Sequence, residues 1–253
     1  GVVLAPADVV LVCGGPRERR RYLDMVLSLS VRGYVQALGR YRRALAQRIR
    51  ASGSEAAAWE EVLAAAGADL VAARRTWTER WKERYAEYCE ALGEALSRED
   101  VKTRSGSGMA YRTSVEGGAE ALREALESSR ARDRQLGRTT VGPHRDELRL
   151  TLGGRDLRTY GSAGQQRTAA LALRLVEADT LQESDGPLVL ALDDAFAELD
   201  EERSRNLGTL IGRFAAAGNQ IVAAVPKRDE VPAVAGGLEV WRVNDGVVRT
   251  TGS

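Results

Sequence analysis

Two adjacent aspartates end an apolar run in LVLALDDAFAELD, residues 188–200. Leu188 to Leu192 read as a strand in the middle of a sheet, because a continuous apolar run suits a buried strand. Asp193 and Asp194 then emerge at the C-terminal end, where α/β sheets bind ligands. Two carboxylates side by side are costly to desolvate unless a cation or a proton compensates. Magnesium with nucleotide phosphates would be that compensation. In this reading Asp193 holds Mg2+ through water, and Asp194 orients or deprotonates an attacking water. The plain alternative is a strand ending in two solvated acids. The AELD that follows weighs against it, placing a further carboxylate, Asp200, in the turn before the next helix.

A second motif lies upstream in GSAGQQRTAALALRLVEA, residues 161–178. A small-residue turn runs into a strongly helical segment, with Gln165, Gln166 and Arg167 where the helix begins. Ser162 can cap that helix as an N-terminal acceptor. Gly164 lets backbone approach a ligand closely, and the free N–H groups with the helix dipole favour an anion. Taken alone, an S-x-G before a helix is only a cap. The two motifs together, in this order, are more specific.

The surrounding elements must position these groups. After Gly137, ELRLTL, Gly153-Gly154 and RDLRTY read as a β-hairpin. The helix that begins at Ser162, the aspartate strand, the helix EERSRNLGTLIGRFAAAG and the strand NQIVAAV follow. Short strands continue through GLEVWRVNDGVVRTT with Asn244-Asp245-Gly246 as the turn. This alternation predicts an α/β domain with a largely parallel core sheet. The opening VVLAPADVVLVCGGP reads as a short apolar segment, a turn and a buried strand, with Pro16 at a helix N1 position. From there to about residue 135 the pattern is nearly all helical. Val31, Tyr34, Val35, Leu38, Tyr41, Leu45 and Ile49 form one apolar stripe. The segment 55–97 keeps a helical period with Trp59, Trp77, Trp81, Tyr85 and Tyr88, and Gly67 is a possible break. This aromatic stripe reads as packing between helices; base stacking would need exposed rings on a basic groove. The Gly/Ser-rich 103–114 reads as a loop, and 117–135 as a helix.

Composition bounds the rest. The 253 residues are 43% hydrophobic and 29% charged, which suits a soluble globular protein. No apolar run approaches the ~20 residues of a membrane span. No basic region followed by a cleavable apolar core opens the chain. Cys13 and Cys89 are too far apart in sequence for a disulfide framework or metal cluster, which fits a reducing cytoplasm. A single histidine, His144, argues against Ser-His-Asp or Cys-His catalysis. His144 is either an ordinary turn histidine or part of a nucleotide-proximal loop. Net charge is +1, but residues 1–50 hold ten Arg against three acids. On a helix Arg17, Arg20 and Arg21 share a face, with Arg19 off it. Such a zone is compatible with nucleic acid and equally with a solvated face.

The paired motifs resemble the signature motif and Walker B of the ABC-type ATPases that include the SMC proteins. Within that group GGPRERRRYLD, GPHRDEL, GQQRTAALAL and LDDAFAELD resemble the RecF family, over essentially the whole chain. The resemblance implies an α/β fold: part of an ABC-type ATPase head, its C-terminal lobe, with an inserted all-α arm. Residues 1–15 would begin the head segment, 16–136 form the helical arm, and 137–253 carry signature motif, Walker B and D-loop. It implies ATP with Mg2+ and an ATP-dependent homodimer in the cytoplasm. Ser162, Gly164 and Gln165 would face the γ-phosphate of a neighbouring copy. Asp193 would be the Walker B acid, Asp194 the catalytic acid and Asp200 the D-loop acid. Double-stranded DNA and its junctions with single strands would be the DNA partners, with RecO and RecR as protein partners in loading RecA onto gaps. Arg17, Arg20 and Arg21 are candidate DNA contacts.

Two departures matter. The sequence has no G-x-x-x-x-G-K-[ST] Walker A pattern. The expectation is therefore a segment of a longer protein, poorly soluble and inactive towards ATP by itself, with exposed apolar sheet surface. A non-hydrolysing DNA-binding or scaffold subunit, or another SMC-like head, is the alternative. The second departure is at Ala223, Ala224 and Val225, where RecF-like chains carry threonines in a γ-phosphate switch. That contact is in doubt, or comes from backbone, Lys227 or Arg228.

Overall fold

The computed structural model describes residues 1–93, 106–197, 199–227 and 239–250. The chain starts with β1 (Val2–Leu4), a 3-10 turn at Pro6–Val9, α1 (Val10–Cys13), α2 (Pro16–Ser30), α3 (Tyr34–Arg48) and α4 (Gly53–Ala91). Then come β2 (Gly108–Arg112), α5 (Gly118–Leu136), β3 (Glu147–Leu152), β4 (Arg155–Asp156), α6 (Leu157–Tyr160) and α7 (Ala163–Asp185). The last elements are β5 (Val189–Asp193), α8 (Glu201–Ala216), β6 (Gln220–Ala224), β7 (Trp241–Asn244) and β8 (Val247–Thr250).

The strand with the aspartates is central, as expected. The order is β1-β5-β6, and both pairings are parallel. Val2, Leu190 and Ile221 pair in register, as do Leu4, Leu192 and Ala223. Leu4, Leu190 and Leu192 are buried in the same apolar cluster as α7 and α8. Strand residues alternate between faces, so Val3, Ala191 and Val222 share the other face. That face is open: Val3 is 53% and Val222 51% exposed.

Several sequence expectations need correction. The run VVLV is not a strand: Val10–Cys13 is a helical turn, and β1 lies earlier. A four-residue apolar run carries no periodicity that separates the two. Within the expected loop 103–114, residues 108–112 form β2, antiparallel to β3; residues 103–105 lie outside the described residues. The expected hairpin has its turn at Gly153 and Gly154, both at positive φ, but β4 is two residues long and passes directly into α6. The turn between β7 and β8 is Asp245-Gly246, with φ of 47° and 76°. Both central residues of a tight hairpin turn need such positive φ.

Gly67 does not divide α4, which is one helix of 39 residues. A Cβ on Gly67 would stand 2.6 Å from Leu122 Cδ2 and 3.1 Å from Tyr41 Cε2. The glycine is there so that α3 and α5 can close on α4. The aromatic stripe is packing: Trp77, Tyr85 and Tyr88 are buried, and Trp77 donates to Thr180 on α7. On α3, Tyr34 and Tyr41 are buried, while Val35 is exposed and the buried face runs through Ala37 and Ala44.

Two buried guanidinium groups organise the helical region. Arg48 donates to Glu60 (3.1 Å), Asp133 (2.6 Å), Thr139 (3.0 Å) and the Leu126 carbonyl (2.6 Å). Burial pushes the Glu60 carboxyl up, but hydrogen bonds and charge from Arg130 and Arg48 outweigh it and hold it below its ordinary value. Arg74 donates to Asp24 (2.7 Å), Tyr34 (3.0 Å) and the Pro143 carbonyl (2.8 Å). Arginine's planar fork allows one side chain to bind several elements at once. Among the described residues, no helix is long and apolar enough to cross a membrane.

Candidate functional site

The site begins where β5 ends. Asp193 is exposed at the last strand position, in register with Ala224 of β6. Asp194 follows with φ of +52°, a conformation rare for residues other than glycine, asparagine and aspartate. Its N–H donates to the Ala224 carbonyl (2.9 Å), and its own carbonyl accepts from Ala197 N–H (3.0 Å). The strained residue is thus held from both sides while Ala195 and Phe196 sink into the core. Strain of this kind costs about 1–3 kcal/mol and persists where the surroundings over-determine it.

Asp200 lies at the far end of this turn as the N-cap of α8. Its carboxylate accepts from the Arg203 backbone N–H and from the Arg203 guanidinium, each at 2.8 Å. These bonds, the backbone one foremost, hold the exposed carboxyl below its ordinary value.

The start of α7 is a complete capping box. Ser162 Oγ accepts from Gln165 N–H (3.2 Å), and Gln165 Oε1 accepts from Ser162 N–H (2.9 Å). The side chain of Gln165 therefore serves the helix start itself. The first intrahelical bond runs from Gln166 N–H to the Ser162 carbonyl. The N–H groups of Ala163 and Gly164 have no acceptor within the helix by its geometry, so they face outwards with the positive end of the dipole. Gln166 donates to the carbonyls of Leu157 and Arg158 and so closes the end of α6 beneath.

The two motifs meet. Arg167, in the first turns of α7, donates to the Ala197 carbonyl in the turn after β5 (3.4 Å). Arg203 reaches from α8 to Gly164, where a Cβ would lie 3.1 Å from Nη1. Gly164 and Asp200 are thereby joined through one guanidinium. The sequence reading missed Arg203. Its position three residues after a capping aspartate was the available signal, because i, i+3 pairs meet on a helix.

The arginine cluster separates on α2. Arg19 is buried and donates to the carbonyls of Leu11 (3.3 Å), Val12 (3.0 Å) and Gly14 (3.0 Å), and to Glu147 (2.7 Å). It closes the C-terminal end of α1, whose carbonyls otherwise lack partners. Arg20 is half-buried and donates to the Asp146 carbonyl (2.8 Å), so its guanidinium is engaged within the fold. Arg17 and Arg21 are exposed. His144 is a half-buried lock between α3 and the 139–146 loop. Ala223 and Ala224 are exposed along β6, and Lys227 is exposed beyond it; Arg228 lies outside the described residues.

Among the described residues, no group of three or more His, Cys, Asp or Glu side chains could hold a metal. Asp193 and Asp194 offer oxygen donors at one strand end, which fits a magnesium ion that keeps most of its water and takes few protein ligands.

No protein-family model matches the chain. It is 38% identical over 224 residues to the DNA replication and repair protein RecF of Herpetosiphon aurantiacus, covering 84% of this chain and 56% of that protein. It is 34% identical to the RecF of Thermomicrobium roseum, covering 97% of this chain and 67% of that one. The chain thus spans between about half and two thirds of the curated relatives it matches. The solved structure of the recombination mediator protein RecF-ATP in the RecFOR pathway superposes with a TM-score of 0.79 at 27% identity, over 99% of this chain and 67% of that one. The Smc head domain from Pyrococcus furiosus shares the fold, with a TM-score of 0.51 at 16% identity. This is an α/β chain with the fold of an ABC-type ATPase head, and it belongs to the RecF family of DNA replication and repair proteins.

Proposed function

We propose that this chain is the part of a RecF-type DNA repair ATPase that closes over ATP held by a second copy. The observation that carries it is the contact between the motifs. The first turns of α7 touch the turn after β5 through Arg167 and Ala197, which supports reading the helix start and the strand-end carboxylates as parts of one nucleotide-handling region. ATP bound to a solved RecF supports the ligand.

In this reading the Ala163 and Gly164 N–H groups and Ser162 bind the γ-phosphate presented by the partner copy. Gln165 holds the helix start in shape. Asp193 carries Mg2+ through water, and Asp194 orients or deprotonates the water that attacks phosphorus. Bound magnesium would neutralise phosphate charge. Asp200 acts by capping α8 beside the shared surface. Residues 1–15 and 137–253 form the head and 16–136 the arm, with β2 tying the arm to β3. The complete protein dimerises with ATP in the cytoplasm, binds double-stranded DNA and single/double-strand junctions, and works with RecO and RecR to load RecA. Exposed Arg17 and Arg21 are DNA contacts in this account, and Arg20 positions the 146–147 strand entry.

The alternative reading is a DNA-binding scaffold that does not hydrolyse ATP. Asp194→Asn in the full-length protein decides between them. Asparagine tolerates the positive φ at 194, so the fold is kept while the carboxylate is lost. Hydrolysis should fall by about two orders of magnitude or more, with ATP-dependent dimerisation intact. An undiminished rate would remove Asp194 from catalysis.

A further inference from the structure

We infer that Arg203 is a positioning residue that locks the start of α7 to the cap of α8, so that both reach a neighbouring copy as one unit. The inference rests on the proposed function and adds a residue that the motifs do not contain.

Three observations point to it. The first is Gly164. It is the second residue of α7, after the Ser162 cap, and it is not at positive φ. Its own conformation does not require glycine. The Arg203 guanidinium lies against it: Nη1, Cζ and Nη2 would stand 3.1, 3.6 and 3.7 Å from a Cβ.

The second is Asp200. One of its oxygens caps the Arg203 backbone N–H and the other holds the Arg203 guanidinium, both at 2.8 Å. The cap thus fixes the direction of the side chain that reaches Gly164. The third is Arg167, which ties α7 back to the Ala197 carbonyl in the opposite sense. Two arginines on different helices therefore clasp the same pair of segments. In this inference a movement at the α7 start is carried to the cap of α8, and the reverse.

The charge of Arg203 also has a consequence. It lies against Gly164 and is paired with Asp200. Position rather than free charge is its contribution, so a lysine should not replace it. Lysine lacks the planar fork that can lie against Gly164 while holding a carboxylate.

The test uses full-length protein without nucleotide and then with ATP. Without nucleotide, amide hydrogen exchange is compared in wild type, Arg203→Gln and Arg203→Lys. Faster exchange at both 163–168 and 199–204 in both variants is expected. Faster exchange at 199–204 alone would overturn the inference, because Arg203 would then serve only its own helix. With ATP, self-association is followed by analytical ultracentrifugation. Arg203→Gln and Gly164→Ala should each raise the ATP concentration at half-association about ten-fold, with the double variant no worse than the worse single. Wild-type behaviour of Arg203→Gln, or fully multiplicative effects, would overturn it. If wild type itself fails to associate with ATP, the proposed function falls and this inference falls with it.

Discussion

The Tyr41 hydroxyl and His144 Nδ1 lie 2.6 Å apart, 103 residues away from each other in sequence. His144 Nε2 lies 3.0 Å from the Thr139 carbonyl, which can only accept. Nε2 therefore carries the proton, and Nδ1 accepts from Tyr41. A neutral imidazole completes both bonds, and its burial holds the histidine below its ordinary pKa of 6.5, aided by the nearby cations Arg145 and Arg20 against Asp146.

This bond makes stability depend on pH. The unfolded chain takes up a proton near pH 6.5 that the folded chain resists, so His144 contributes stability above that pH and loses it as pH falls. Glu177, pushed up by burial, acts in the opposite direction. The comparison is therefore between wild type and His144→Gln, whose amide can still donate to Thr139. The variant should be less stable at neutral pH and flatter between about pH 7 and pH 5, as followed by urea denaturation. Parallel curves would exclude His144 as the source.

Arg48 is expected to be the most sensitive ionic position. Its side chain is 3% exposed, against 3% for Glu60 and 2% for Asp133. Arg48→Met leaves two buried carboxylates short of a partner and should cost about 3–5 kcal/mol, measured as a fall in the urea midpoint. Removing the exposed Arg40–Asp69 pair should cost less than about 1 kcal/mol.

Gly67→Ala tests how the helices close. The added methyl meets Leu122 and Tyr41 inside normal contact distance. Overpacking should destabilise by about 1–3 kcal/mol despite alanine's better helix propensity. A stabilised variant would show that the three helices have slack at this level.

How far the sequence was legible follows from how local each signal is. The aspartate strand, the Ser162 cap and the turns at Gly153-Gly154 and Asp245-Gly246 are written in adjacent residues, and they hold. β2 is not local. Its residues sit in a polar, glycine-containing stretch, and pairing with β3 makes them a strand. The same holds for Arg19, Arg48 and Arg74. Each is buried by partners distant in sequence, which no local pattern marks. At the proposed site, the motif residues are read from adjacent positions, but Arg203, which lies between Gly164 and Asp200, is not. A close approach between helices leaves no mark beyond one glycine.

The central claim is that the α7 start meets ATP held by another copy. Ser162→Arg in the full-length protein tests it most directly, by sedimentation with and without ATP. Ser162 is exposed, so the substitution costs only the cap, about 1 kcal/mol, and leaves the fold in place. The account predicts a folded protein that stays monomeric with ATP, where wild type dimerises. An ATP-dependent dimer of normal affinity in the variant would contradict it.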